Sequence, residues 1–235
     1  MTGTKGTKGA KGPEGIEGIE SLYPFLYAGE ANLAAVVEEV RRSTEEKTAE
    51  IVALRREMGQ RYAGELLLCA EAMAERFASG GKLFAFGNGG SSSDAQAVAT
   101  TFMAPGPAAI GLGARALPAI ALTADIAVVT ALSNDIGFEV IFARQLAAFG
   151  RPGDIAVGLS TSGGSANVLR GFEEASRRGM LTVGLAGYDG GKMAELDAIE
   201  HLFVVPSSSV HRIQEAQTTL YHVLWELTQQ ALAAR

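Results

Sequence analysis

A single cysteine, Cys69, stands in the 235 residues, so no disulfide forms within one chain and the composition suits a reducing compartment. No apolar run reaches the roughly 20 residues that a membrane-spanning helix needs. The first residues have no apolar core of the kind a secretory leader carries. The expectation is a cytoplasmic protein with no membrane partner. Positive charge is also short: 20 Lys and Arg stand against 26 Asp and Glu, a net charge of −6. Such a chain is not built to neutralise a run of phosphates, so direct nucleic-acid binding is not expected. One phosphate can still be held, provided that backbone dipoles and hydroxyls hold it. Neither G-x-G-x-x-G nor a P-loop ending in Lys-Ser/Thr occurs, which disfavours nucleotides.

What is present is apolar and rich in glycine: 47% of the residues are hydrophobic, enough for a sizeable core, and 29 are Gly. Residues 1–20 repeat Gly and Lys with almost nothing to bury, and are expected to be a disordered tail. The run is too short and too poor in Pro for a collagen helix. Residues 21–80 read as N-terminal helices. Leu33, Val36, Val37 and Val40 make one stripe at helical spacing. Ser43 with Glu46 has the capping-box spacing of a fresh start, leading through Ile51, Leu54 and Met58. Gly59 is a candidate break and Gly80-Gly81 a stop. These helices carry more apolar surface than a lone hairpin buries, so the main domain or another subunit must cover it.

Residues 81–235 change rhythm to strand, loop, helix. The strand-like runs are 83–87, 117–122, 154–160, 181–187 and 201–206, each apolar without alternation, as in strands covered on both faces. Helical stretches fall at 91–103, 124–132, 138–149 and 165–178, with a long one after Ser209. This alternation predicts an α/β fold with a parallel sheet and helices on both faces, whose ligands bind at the carboxyl ends of the strands. Two strand ends open into loops of small polar residues: Gly87-Asn88-Gly89-Gly90-Ser91-Ser92-Ser93-Asp94, and 160–167. Each runs into a helix, so first-turn N–H groups and the positive end of the dipole face the loop. Glycines admit an anion to the backbone, and serine hydroxyls add donors without charge. Turn and cap chemistry favours the same residue types, and remains the alternative for each position.

Five motifs occur in order: Gly87-Asn88-Gly89-Gly90-Ser91, Ser133-Asn134-Asp135-Ile136-Gly137-Phe138, Ser160-Thr161-Ser162-Gly163-Gly164-Ser165-Ala166-Asn167, Asp189-Gly190-Gly191-Lys192-Met193 and Arg212-Ile213-Gln214-Glu215. Together, over about residues 60–232, they resemble the phosphoheptose isomerase branch of the SIS (sugar isomerase) proteins. The resemblance implies a three-layer, flavodoxin-like sandwich with added N-terminal helices. It also implies a homo-oligomer, a tetramer favoured, with active sites at subunit interfaces. The implied ligand is a phosphorylated sugar, and the implied reaction is the aldose–ketose conversion of sedoheptulose 7-phosphate to a heptose 7-phosphate. By the same resemblance, Ser160, Thr161, Ser162 and Ser165 look like the phosphate set. Asn88, Gly89, Gly90, Ser91, Asn134, Asp135 and Gln214 look like sugar-contacting positions.

The chain departs from the pattern where chemistry is expected. Enediol isomerisation needs a base near C1–C2 and a group that polarises the carbonyl. In the isomerases a His and a Glu on the helix after the first loop help supply them, and with a Gln and a His near the C-terminus hold zinc. Here those first two positions are Ala97 and Thr101, so no cofactor is expected and zinc is improbable. Gln214 and His222 remain. Eight residues apart on one helix, they are separated by a rise of about 12 Å, so joint action would need two subunits. His222 is the best remaining acid/base candidate, imidazole being the side chain whose ordinary titration spans neutrality. Glu215 and Asp94 are the carboxylates closest to the motifs, His211 precedes Arg212, and His201 is given no role. Residues 104–115, with Pro105, Pro107 and several Gly, are expected to be flexible and to bear on substrate choice. Two functions stay open: an isomerase that uses His222, favoured by the retained sugar loops, and a non-catalytic SIS regulator that senses a sugar phosphate or docks a partner protein.

Overall fold

A computed structural model describes residues 33–106, 109 and 113–235, so the expected tail at 1–20 lies outside the described residues. The chain divides into two units, Met1–Ala49 and Glu50–Arg235. In the first, the described residues open helix α1 (Leu33–Ala78). Ion pairs at helical spacing support this stretch, Arg41 with Glu38 (2.6 Å) and Arg42 with Glu39 (2.6 Å), while Val37 and Val40 are exposed on it.

The expected helix start at Ser43 and break at Gly59 are corrected, because α1 runs unbroken through both. The Ser43 hydroxyl accepts from Lys47 Nζ (2.6 Å) instead of capping. At Gly59 nothing lies within 4 Å of where a Cβ would stand. A lone glycine costs about 1 kcal/mol against alanine, which tertiary packing of the helix offsets. From Met58 the pattern Tyr62, Leu66, Cys69, Met73 and Phe77 is buried. Burial also raises the Cys69 thiol far above its ordinary range, which makes it a core residue.

In the second unit the elements are β1 (Leu83–Gly87), α2 (Gly90–Met103), β2 (Ala119–Ala121) and α3 (Ile126–Asp135). A 3₁₀ turn (Phe138–Val140), α4 (Ile141–Phe149), β3 (Ile155–Ser160), α5 (Ala166–Arg177) and β4 (Leu181–Gly187) come next. A second 3₁₀ turn (Gly191–Glu195), β5 (His201–Val205) and α6 (Val210–Ala233) complete it. The five strands are parallel, in the order β2-β1-β3-β4-β5. This is the flavodoxin-like order, and the connections diverge between β1 and β3, the place where such sheets open a ligand crevice.

Strand geometry sorts the uniformly apolar runs into two cores. Leu83 and Ala85 of β1 pack with α1, α2 and α6, whereas Phe84 and Phe86 pack with α4 and α5. Both faces are therefore covered, and the result is a three-layer sandwich. Phe86, fully buried beneath the crevice, meets Phe142 and Phe172 with ring centroids 5.3 Å away in each case. Each such ring contributes about 2–3 kcal/mol by leaving water. Beside β5, the outer strand opposite β2, the Tyr62 hydroxyl of α1 accepts from Val204 N (3.0 Å) and donates to Val204 O (3.3 Å), satisfying backbone that would otherwise template pairing. Among the described residues no helix is long and apolar enough to cross a membrane.

Candidate functional site

The two Gly/Ser loops lie side by side because β1 and β3 are neighbours, with Gly87 level with Leu159 in the register. Asn88 then faces the start of the second loop. Its carboxamide and that of Asn167 exchange two hydrogen bonds, each 2.8 Å, so the loop after β1 is clamped to the first turn of α5. Asn167 is 2% exposed and Asn88 half-buried. Neither α2 nor α5 has a side-chain cap: Gly89 precedes α2, and the Ser165 hydroxyl does not bond its own helix. Instead Ser165 Oγ sits 3.2 Å from Ser160 Oγ, and both are available to a third oxygen. Asp125 and Ser209, by contrast, do cap α3 and α6. Cap chemistry thus explains those two residues and leaves Ser165 unexplained by it.

The second loop is buttressed from below. Gly163 has φ +64°, and a Cβ on it would stand 1.9 Å from Gly190 O. Gly163 O accepts from Met193 N (2.9 Å), and Asp189 Oδ1 accepts from Gly191 N (3.1 Å). The Asp189-Gly190-Gly191-Lys192-Met193 motif is the shelf under the loop at 160–165. Ser160 is buried, Thr161 and Ser165 are half-buried and Ser162 is exposed, its hydroxyl accepting from Gly164 N (3.2 Å).

Beside Asn88 and Gly89 a cavity of about 190 Å³ is walled by Ser92, Thr123, Val129, Phe138 and Phe142. Asn134 and Asp135 do not line it. They end α3, which runs three residues beyond its expected stop, and stand exposed with Asn134 Nδ2 donating to Asp135 Oδ1 (3.1 Å).

A second locus lies on the seam between α2 and α6. Residues 90, 94, 97 and 101 form one stripe of α2 by the i, i+4, i+7, i+11 spacing. Gln214 packs on the bare Cα of Gly90, where a Cβ would come 2.1 Å from its Nε2. Two turns along, Ala97 and Thr101 share with His222 and Trp225 a pocket of about 380 Å³, completed by Thr100, Ala104, Pro105 and Gly106. One chain therefore places Gln214 and His222 at different levels of the same seam. Trp225 escaped the sequence reading, though its place three residues after His222 was a signal. Residues 107, 108 and 110–112 of the segment expected to be flexible lie outside the described residues; Arg115 is held through its backbone by Gln229 (2.9 and 2.8 Å).

His222 is exposed, and its Nδ1 lies 2.8 Å from Thr218 O. A carbonyl only accepts, so Nδ1 carries the proton and Nε2 is the atom left for chemistry. Glu215 is ion-paired with Arg212, which also meets Glu50 (3.2 Å). Asp94, half-buried between Gly90 and Ala97, has no hydrogen-bond or ion partner among the described residues, and burial raises its carboxyl to about 6. Burial also pushes the Tyr221 phenol up, and the charge of Asp94 adds to that shift. His211 is exposed at the start of α6, and His201 opens β5 with its Nδ1 unbonded, 3.9 Å from Glu65.

Zinc of the kind implied for related chains would meet one imidazole in the His222 pocket, beside an alanine and a threonine. No group of three or more His, Cys, Asp or Glu gathers among the described residues. This donor set does not fit zinc.

Comparison with known proteins agrees with the architecture. The family model for the SIS domain matches residues 48–187. A phosphoheptose isomerase of Aquifex aeolicus is 43% identical over 174 residues, covering 74% of this chain and 88% of that protein. One of Roseiflexus sp. is 40% identical over 197 residues, covering 84% and 93%. Among solved structures, a phosphoheptose isomerase from Neisseria gonorrhoeae superposes with a TM-score of 0.72 at 36% identity, over 81% of this chain and 99% of that one.

Proposed function

This chain belongs to the SIS-domain family, in its phosphoheptose isomerase branch, and from that premise we propose that it binds a phosphorylated sugar and interconverts its aldose and ketose forms. The observation that carries the reading is the crevice between β1 and β3, where two Ser/Gly loops are clamped by Asn88 and Asn167 and the Ser160 and Ser165 hydroxyls converge. Phosphate oxygens bind Ser160, Thr161, Ser162 and Ser165 and the first-turn N–H groups of α5, which compensates for the absence of Lys or Arg there. The sugar runs past Asn88, Gly89, Gly90 and Ser91 toward Gln214, and Asn134 and Asp135, exposed at the end of α3, meet the part of it that extends beyond the cavity. His222 Nε2 moves the proton at the carbonyl and hydroxyl oxygens.

A cytoplasmic homotetramer, with sites completed across subunits, belongs to the same proposal, as does a division into a tail (1–20), N-terminal helices (21–80) and an SIS domain (81–235). The rival reading, a sensor without turnover, has one observation in its favour: the His222 pocket holds Ala97 and Thr101. Incubation with sedoheptulose 7-phosphate separates the two. Aldose formation, abolished in His222→Ala, supports the isomerase; thermal protection by the sugar phosphate with no turnover would leave only the sensor.

A further inference from the structure

Proton abstraction from carbon needs a base, and the usual position on α2, one turn after Ala97, is Thr101. The α2–α6 seam contains one carboxylate on the same stripe. Asp94 lies one turn before Ala97, with its Cα–Cβ bond tilted toward the helix N-terminus, so it leans toward Gly90 and the anion loops. Four other carboxylates at this end of the sheet are committed, and Glu139, in the 3₁₀ turn Phe138–Val140, is not on the seam. Glu215 holds Arg212, Asp189 holds Gly191 N, Asp125 caps α3 and Asp135 is bonded to Asn134. Asp94 has no such duty, yet it is half-buried.

A charged group drawn out of water without a partner is costly to the fold, and is a mark of a group kept for chemistry. Across the seam from Asp94 stand Tyr221 and, one residue on, His222, whose rings lie 4.8 Å apart. Asp94 is therefore placed between the end of the seam that holds Gln214 and the end that holds His222.

We propose that Asp94 is the catalytic base that replaces the carboxylate missing at Thr101, working with His222 as the oxygen-directed acid/base. The proposal rests on the isomerase reading above. From the ketose, Asp94 takes a C1 proton, and the C–H electron pair becomes the C1–C2 double bond. The carbonyl π pair moves to O2, which takes a proton from the His222 imidazolium to give the enediol. Asp94 then returns its proton to C2 as the O1 proton passes to His222 and the C1 carbonyl forms. No oxidant or reductant is needed, and both side chains end as they began. Burial supports the role, because a carboxyl raised to about 6 is a stronger base than an exposed one and still ionised at neutral pH.

The test is exchange of carbon-bound hydrogen with solvent. Full-length wild-type protein, Asp94→Asn and Asp94→Glu are incubated with sedoheptulose 7-phosphate in D₂O, and deuterium at C1 and C2 is followed by NMR beside aldose formation. Asp94→Asn is expected to lose about 10²–10⁴-fold in both rates. It should keep sugar-phosphate affinity within about twofold and an undiminished melting temperature, because burial disfavours the charge that it removes. Asp94→Glu is expected to recover at least about tenfold, an effect that a merely structural residue would not give. Exchange and turnover within about threefold of wild type in Asp94→Asn would overturn the role of Asp94 and leave the isomerase standing. Wild-type protein that binds the sugar phosphate without exchange or turnover would overturn both.

Discussion

The clamp between Asn88 and Asn167 makes a quantitative claim about how the two loops are held together. Replacing Asn88 by alanine removes two hydrogen bonds of 2.8 Å and strands the carboxamide of Asn167, which is 2% exposed and out of reach of water. A buried donor or acceptor left unpaired costs about 1–3 kcal/mol, so stranding one of each should lower stability by about 2–6 kcal/mol. Replacing Asn167 instead strands Asn88, which is half-buried and can be rehydrated, and the polar cost falls to about 1–2 kcal/mol.

The double variant leaves nothing stranded. Its loss should therefore fall short of the sum of the single losses, with a coupling of about 1–3 kcal/mol. Urea unfolding followed by circular dichroism measures all four proteins, and inorganic phosphate binding by calorimetry reports whether the loops keep their spacing. Phosphate affinity should fall about tenfold or more in each single variant, because the cradle is held by both loops. Stability changes that add within about 0.5 kcal/mol would refute the clamp, since independent sites behave that way.

Gly163→Ala should destabilise by about 2–5 kcal/mol, combining the left-handed backbone cost with the clash on Gly190 O, and should abolish phosphate binding; unchanged urea midpoint and affinity would count against the shelf. Gly90→Ala should displace Gln214 and raise KM for the sugar phosphate while leaving the melting temperature within a few degrees, as kinetics and calorimetry would show. The carboxyl of Asp94 is raised in the folded state from an ordinary value of about 4 to about 6, so the folded form holds a proton that the unfolded form releases, and stability falls as pH rises through that window. Asp94→Asn should remove that slope, so its gain in urea midpoint over wild type is larger at pH 7 than at pH 4; an equal gain at both would refute the burial argument. Ala97→His combined with Thr101→Glu puts two ligands one turn apart on the wall that faces His222, and should bind one zinc per chain by metal analysis, where the wild type is expected to bind none.

Much of the fold was legible because parallel strands covered on both faces must be apolar throughout. The runs at 83–87 and 181–187 match β1 and β4 to the residue. The run at 117–122 shrank to Ala119–Ala121 because β2 is an edge strand paired on one side alone. Leu33–Ala78 runs unbroken because packing of the helix overrides the local signals of a capping-box spacing and one glycine. The loops were legible as anion sites from composition. Their bracing was not, because the pairing of Asn88 with Asn167 spans 79 positions and the support of Gly163 by Gly190 depends on where β4 ends.

The site also divides by what kind of residue carries each part. Anion binding here rests on backbone N–H groups, glycine geometry and hydroxyls, features that motif spacing preserves as a block. Chemistry rests on single side chains along the seam of α2 and α6, where one substitution removes a ligand without disturbing the helix. Ala97 and Thr101 leave α2 intact from Gly90 to Met103, and Val98 and Phe102 on its buried face still pack into the core. Such a seam can therefore exchange one acid/base arrangement for another while the fold and the cradle stay fixed. The stripe 94, 97, 101 offers three positions within two turns for a carboxylate, all facing α6. A base can move along it between 101 and 94, about two turns or a rise of about 10.5 Å, and still serve a substrate anchored by its phosphate, provided that the sugar is repositioned by the same amount. Specificity for the length of the sugar should therefore shift with the position of the carboxylate, and moving it from 94 to 101 by Asp94→Asn with Thr101→Glu should change the preferred chain length more than it changes phosphate affinity. Competition assays with five-, six- and seven-carbon ketose phosphates read that directly, and an unchanged order of preference would refute the coupling between seam and substrate.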